Sequence, residues 1–117
     1  MSASIIGAAM RVHSALGPGL LEAAYEACLC HELHKGGISY ERQLPVPFYD
    51  GVQVECGFRL DLIVEKKVVV EVKSVERLSS IHDSQLLTYL RLTRCRLGLS
   101  LNFNVSHLRH GIRRLVL

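Results

Sequence analysis

Residues 59–73 read Arg59-Leu60-Asp61-Leu62-Ile63-Val64-Glu65-Lys66-Lys67-Val68-Val69-Val70-Glu71-Val72-Lys73, two apolar runs joined by a charged tip. Side chains of a strand alternate between two faces. A three-residue tip at Glu65-Lys66-Lys67 puts Asp61 opposite Glu71 and makes every face consistent. Leu60, Leu62, Val64, Val68, Val70 and Val72 then form one apolar face. Ile63 and Val69 share the other with Asp61, Glu71 and Lys73. A two-residue tip at Glu65-Lys66 would put the two carboxylates on opposite faces and mix the apolar set. Like charges directly opposite across a strand pair repel. A hard divalent cation reverses that sign, because Mg²⁺ and similar ions favour carboxylate oxygens, with water completing the shell. Lys73 stands one pleat further along the same face, where it can hold a phosphate or an attacking water. Metal, activated water and a cation for developing charge suit phosphodiester hydrolysis. A half-exposed hairpin whose charges merely solubilise one face has the same pattern, so the rest of the chain must decide.

Before the hairpin, residues 3–16 have helical apolar spacing through Ile5, Ile6, Ala9, Val12, Ala15 and Leu16. Gly17-Pro18-Gly19 breaks that helix. A second helix is expected from Leu20 to Lys35, with Leu21, Ala24, Cys28, Leu29 and Leu33 on one side and Gly36-Gly37 as its stop. A strand follows over Ser39–Tyr49, edge or irregular because of Pro45 and Pro47. Asp50-Gly51 signals a turn. The next strand spans Val52–Val64 with a bend at Gly57, and the next Val68–Lys73. A helix over Ile81–Leu92 carries Leu86, Leu87 and Leu90, and strands are expected over Arg96–Phe103 and Ile112–Leu117. The order α-α-β-β-β-α-β-β predicts a small α/β domain with a mixed sheet.

The 117 residues suit one domain with a single core. Nearly half are apolar and about a fifth charged, a globular composition. No apolar run approaches the roughly 18–20 residues of a membrane span, and the start lacks the basic region of a signal peptide. Cys28, Cys30, Cys56 and Cys95 show no CxxC spacing, so reduced and mostly buried thiols in a cytoplasmic protein are expected. Net charge is only +3, yet no acidic residue follows Asp83, while Arg91, Arg94, Arg96, Arg109, Arg113 and Arg114 do. A one-signed tail rich in arginine suggests a polyanionic partner.

Asp61 followed by Glu71-Val72-Lys73 resembles the D…(D/E)xK core of the PD-(D/E)XK nuclease superfamily. The element order is similar to that superfamily's restriction-endonuclease-like αβββαβ core. Gln85-Leu86-Leu87-Thr88-Tyr89 resembles the QxxxY element of its RecB-like branch, and residues at i and i+4 share a helix face. Gly19-Leu20-Leu21-Glu22-Ala23-Ala24-Tyr25 fits the signature of the GxxExxY family. Val12-His13-Ser14-Ala15-Leu16-Gly17-Pro18-Gly19 and Gly98-Leu99-Ser100-Leu101-Asn102-Phe103 resemble that family's V-H-x-x-L-G-P-G and G-L-L-I-N-F stretches, with Ser100 departing from an apolar residue.

The resemblance implies a nuclease-type site with Mg²⁺ or Mn²⁺ held by Asp61, Glu71, the Val72 carbonyl and Glu22. His13 is a further candidate ligand, since a histidine serves so in some RecB-like enzymes; a structural histidine on an apolar helix is its equal alternative. Glu22 also suits a helix start, where a carboxylate complements the dipole. Gln85 is expected to orient water, Lys73 or substrate. Tyr89, Arg91, Arg94 and His82 are the expected substrate contacts, although His82 can equally cap its helix. Tyr25 is expected mainly to pack. The implied activity is metal-dependent hydrolysis of nucleic acid, DNA before RNA. The alternative is a non-catalytic nucleic-acid- or protein-binding module of the same fold. A homodimer through the first helix or the edge strand would add surface.

Overall fold

The computed structural model describes residues 1–45, 48–49, 52–53 and 59–117. Two helices, α1 (Ser2–Leu16) and α2 (Glu22–Lys35), precede β1 (Tyr40–Pro45) and a ribbon of β2 (Phe48–Tyr49) with β3 (Val52–Gln53). The hairpin β4 (Arg59–Val64) and β5 (Val68–Lys73) follows, then α3 (Ser80–Thr93), β6 (Leu97–Asn102), a 3₁₀ turn η1 (Leu108–Gly111) and β7 (Ile112–Val116). The main sheet has the order β1-β4-β5-β6-β7. Only β5 and β6 are parallel, joined by α3 as crossover; the other pairs are antiparallel. This mixed five-stranded sheet flanked by helices is consistent with the restriction-endonuclease-like fold.

The strand expected over Ser39–Tyr49 is divided. β1 ends at Pro45, which has no N–H to continue a ladder, and β2 pairs with β3 in the separate ribbon. β1 is an edge of the main sheet, as its prolines suggested. The strand expected over Val52–Val64 likewise appears as β3 and β4. The Asp50-Gly51 turn, the bend at Gly57 and Cys56 lie outside the described residues. Cys28, Cys30 and Cys95 are free thiols. Among the described residues no helix is long and apolar enough to cross a membrane.

α1 and α2 cover one face of the sheet. Ile5, Ala8, Ala9 and Val12 from α1 meet Tyr25, Leu29 and Leu33 from α2 over Leu62, Val64, Val68, Val70 and Val72. The buried stripe of α2 is rotated from the expected one: Leu21 is 81 % exposed, while Tyr25, Glu26 and Cys30 are buried. Leu21 is extended (φ −74°, ψ 153°) and precedes the helix. α3 covers the other face, where Leu86, Tyr89 and Leu90 pack with Ile63, Val69 and Cys95. Gly98 of β6 is the notch for this helix: a Cβ there would lie 2.8 Å from Leu86 Cδ1.

The turn between α1 and α2 is fastened by its own motif. Gly17 and Gly19 hold φ of 69° and 100°, the left-handed region that a Cβ disfavours. Tyr25 reaches back from the first turn of α2. Its hydroxyl donates to the Gly17 carbonyl at 2.6 Å and accepts from the Leu20 N–H at 3.0 Å. Its ring stacks on Phe103, 4.6 Å between centroids. Tyr25 therefore both packs and bonds.

Candidate active site

The β4–β5 ladder pairs Leu62 with Val70, Ile63 with Val69 and Val64 with Val68, around a tip at residues 65–67. Glu65 and Lys66 adopt φ of 53° and 57° there. The same register brings Asp61 to Glu71, but side chains replace the ladder at this point. The Asp61 N–H donates to Glu71 Oε2 at 3.0 Å, and the Val72 N–H donates to Asp61 Oδ2 at 2.7 Å. The interruption continues onto β1. Its pairing with β4 runs through residues 40, 41, 42, 44 and 45 and omits Gln43, which has φ 52°. Leu60 consequently departs from the expected apolar face. It packs with Ile63, Val69 and Leu86 on the α3 side instead of with Leu62, because the alternation does not carry through a strand whose ladder is broken at Asp61.

Both carboxyls hold their protons more tightly than ordinary carboxylates. Glu71 is 3 % exposed, and its pKa is pushed up to about 8, first by burial and then by the charge of Asp61 and a hydrogen bond with its side chain. Burial also raises Asp61, and the charge of Glu26 adds to it. Lys73 opposes both shifts, as a cation one pleat away must. The Lys73 ammonium donates to Gln85 Oε1 at 3.2 Å, which fixes it against α3. One turn further, Tyr89 is buried, and its hydroxyl pKa is raised by burial and by the charges of Glu71 and Asp61. Tyr89 therefore faces the carboxylates as a neutral phenol.

Glu22 lies beside this group. Its Oε2 accepts the Ser74 N–H at 3.2 Å, and Ser74 Oγ donates to the Leu20 carbonyl at 2.6 Å. The start of α2 is thus tied to the residue after Lys73. Glu26, i+4 from Glu22 and buried, accepts Arg42 Nε at 2.8 Å and Gln43 Nε2 at 2.7 Å. Sequence reasoning missed it, although its helical spacing from Glu22 was the signal. It also missed Asn102, whose Oδ1 accepts the Val75 N–H and whose Nδ2 donates to the Val75 carbonyl, bracing the chain just after Lys73. Ser100, paired with Glu71 across β5–β6, is 1 % exposed, and its hydroxyl has no partner among the described residues.

Other expected contacts are dispersed. His13 is buried on α1, with Nε2 donating to the Val105 carbonyl at 2.7 Å. The Ser79 N–H donates to His82 Nδ1 at 3.0 Å, so His82 caps α3. Arg91 is exposed in the last turn of α3, and Arg94 follows that helix at φ 61°. Arg94 lines a hollow with Lys66, Lys67 and Arg96 at the hairpin tip, the opposite end of β5 from Lys73. Among the described residues no three carboxylate, imidazole or thiolate side chains converge as a metal cage. Glu22 and His13 are bonded to the Ser74 N–H and the Val105 carbonyl respectively. What converges is a buried carboxyl, Glu71, and a partly buried one, Asp61, with Val72 next to Glu71 in the chain. Such all-oxygen donors fit a hard divalent ion that keeps water and substrate oxygens in its shell.

The model of one protein family, described as the PD-(D/E)XK nuclease superfamily, matches residues 1–115. No curated protein and no solved structure matches the chain.

Proposed function

Because the chain belongs to the PD-(D/E)XK nuclease superfamily, we propose that it is a metal-dependent nuclease acting on nucleic acid, DNA before RNA. Nucleases of that superfamily generally use divalent metal ions, and Mg²⁺ or Mn²⁺ is the proposed cofactor here. We assign the chain to the GxxExxY family within the RecB-like branch, on the motifs at Gly19–Tyr25 and Gln85–Tyr89. The observation that carries the functional reading is the Asp61–Glu71 pair, both of whose proton affinities are raised, first of all by burial.

Asp61, Glu71 and the Val72 carbonyl would hold the cation. When bound, it supplies charge neutralisation and a water acidified for attack on phosphorus. The protein's own groups do the rest. Lys73, one pleat beyond Glu71, meets the charge that develops on the phosphoryl oxygens. Gln85 holds the Lys73 ammonium in place. Tyr89 offers a neutral hydroxyl to the same space. Glu22 fixes the end of β5 through the Ser74 N–H and presents a further carboxylate at the rim. Exposed Arg91 and the later arginines would neutralise backbone phosphates, which makes binding weaken as salt rises. The three described thiols are free, which accords with a reducing, cytoplasmic setting. A homodimer through α1 or the β1 edge belongs to the same proposal.

The test is cleavage of labelled DNA and RNA in Mn²⁺, Mg²⁺ or EDTA by wild type, Asp61→Asn and Lys73→Met. Metal-dependent cleavage lost in both variants is the expected result. Cleavage surviving both would refute the assignment. Salt-sensitive binding without cleavage by wild type would favour the non-catalytic module.

A further inference from the structure

Between the end of α1 and the 3₁₀ turn η1 the structure contains an open hollow of about 500 Å³, lined by Met10, His13, Ser14, Gly17, Pro18, Ser106, His107, Leu108 and Arg109. Its volume lies within the roughly 300–1,000 Å³ of small-ligand sites. Both of its walls are fastened to the end of β5. On one side, the Gly17–Pro18 turn is held by Tyr25 and leads to Leu20, whose carbonyl accepts Ser74 Oγ. On the other, the segment entering Ser106–Arg109 begins at Phe103, whose N–H donates to the Lys73 carbonyl at 2.9 Å. The hollow is thus built onto Lys73 and Ser74 from two directions.

Its chemistry is one-sided. The lining has a guanidinium, two imidazoles and two hydroxyls, and no carboxylate. Met10, Pro18 and Leu108 supply apolar surface. An anion with an apolar ring matches this set. A lone inorganic anion would leave the apolar surface unused.

We propose that this hollow binds one nucleotide unit of a nucleic-acid chain. The phosphate lies against Arg109 and His107, and the sugar or base lies over Met10, Pro18 and Leu108. This assignment rests on the nuclease reading for the polymer the unit belongs to, but its binding chemistry can be tested apart from cleavage.

The experiment titrates the full chain in EDTA with adenosine 5′-monophosphate, adenosine and inorganic phosphate, followed by backbone amide NMR. The monophosphate is expected to shift Ser14, Gly17 and Ser106–Arg109, binding at least about fivefold more tightly than adenosine or phosphate alone. Arg109→Ala should weaken it about tenfold, and Ser14→Trp, at an exposed position, should fill the hollow and abolish binding. Shifts centred on Asp61, Lys73 and Gln85, equal binding by Arg109→Ala, or phosphate binding as tightly as the nucleotide would each overturn the proposal. Cleavage kinetics separate it from the nuclease reading. Cleavage whose KM is unchanged by Arg109→Ala defeats the hollow alone. Nucleotide binding in the hollow by a chain that never cleaves defeats the nuclease reading alone.

Discussion

Replacing Glu71 by glutamine should make the metal-free protein more stable at alkaline pH. The folded-state pKa of Glu71 is about 8, against an ordinary 4.5. A carboxyl raised in the fold contributes stability that is fully present below its unfolded pKa and is lost as pH climbs through the folded one. Wild-type stability in EDTA should therefore fall between pH 4.5 and 8. The slope reaches about 1.36 kcal/mol per pH unit, and about 5 kcal/mol over the whole window is the upper bound. Asp61 changes in the same direction, and water entering around a charged Glu71 softens the penalty. A gain of about 2–4 kcal/mol at pH 8.5 is the expected size for Glu71→Gln. The amide can keep both bonds of the protonated acid, accepting from the Asp61 N–H and donating to the Asp61 carboxylate. Urea denaturation in EDTA at pH 4.5, 6, 7 and 8.5 measures this. The variants should converge at the acid end and diverge above neutrality. Adding Mn²⁺ should reverse the ranking, since a ligand at about 100 times its Kd stabilises by about 2.7 kcal/mol, and only wild type retains both carboxylates. An unchanged or lower midpoint for Glu71→Gln at pH 8.5, or a flat wild-type profile, would refute the reasoning.

Three further substitutions probe the frame of the site. Tyr25→Phe keeps the stack on Phe103 but strands the Gly17 carbonyl and the Leu20 N–H; a loss of about 1–2 kcal/mol is expected by denaturant titration. Ser100→Ala removes a buried hydroxyl without a partner among the described residues and should raise stability by about 1 kcal/mol with activity intact; lost cleavage in a folded protein would show that the hydroxyl serves the reaction. Gly98→Ala places a methyl against Leu86 and should cost about 1–3 kcal/mol. It should also lower kcat, because Gln85 must move with the helix; an unchanged kcat would show that α3 absorbs the methyl without moving Gln85.

The register of the hairpin was legible in the sequence because period-two alternation and a charged tip admit only one consistent pairing of Asp61 with Glu71. The crossover helix was legible from Leu86 and Leu90, and Lys73 with Gln85 followed from the motifs they belong to. The side of Leu60 was not legible. Alternation presumes an intact ladder, and nothing local announces that carboxylates replace it. Glu26 with Arg42 and Gln43 was hidden for another reason: the partners lie 16 and 17 residues away, on another element. The position of Arg94 was within reach of simple geometry. Nine residues of helix beyond Gln85 advance about 13 Å, enough to carry it to the other end of the sheet.

The broken ladder at Asp61 has a consequence for the sheet as a material. Amide-to-carbonyl links ignore pH and ions, so a β-sheet ordinarily has the same cohesion in any mild buffer. Here two links between β4 and β5 end on acids, and the left-handed Gln43 extends the gap to β1. The sheet therefore contains one seam whose cohesion is set by the solvent. The amides of Asp61 and Val72 lie on that seam, and their hydrogen-exchange rates should respond to protons and divalent ions while those of Leu62 and Val70, one pair away, do not.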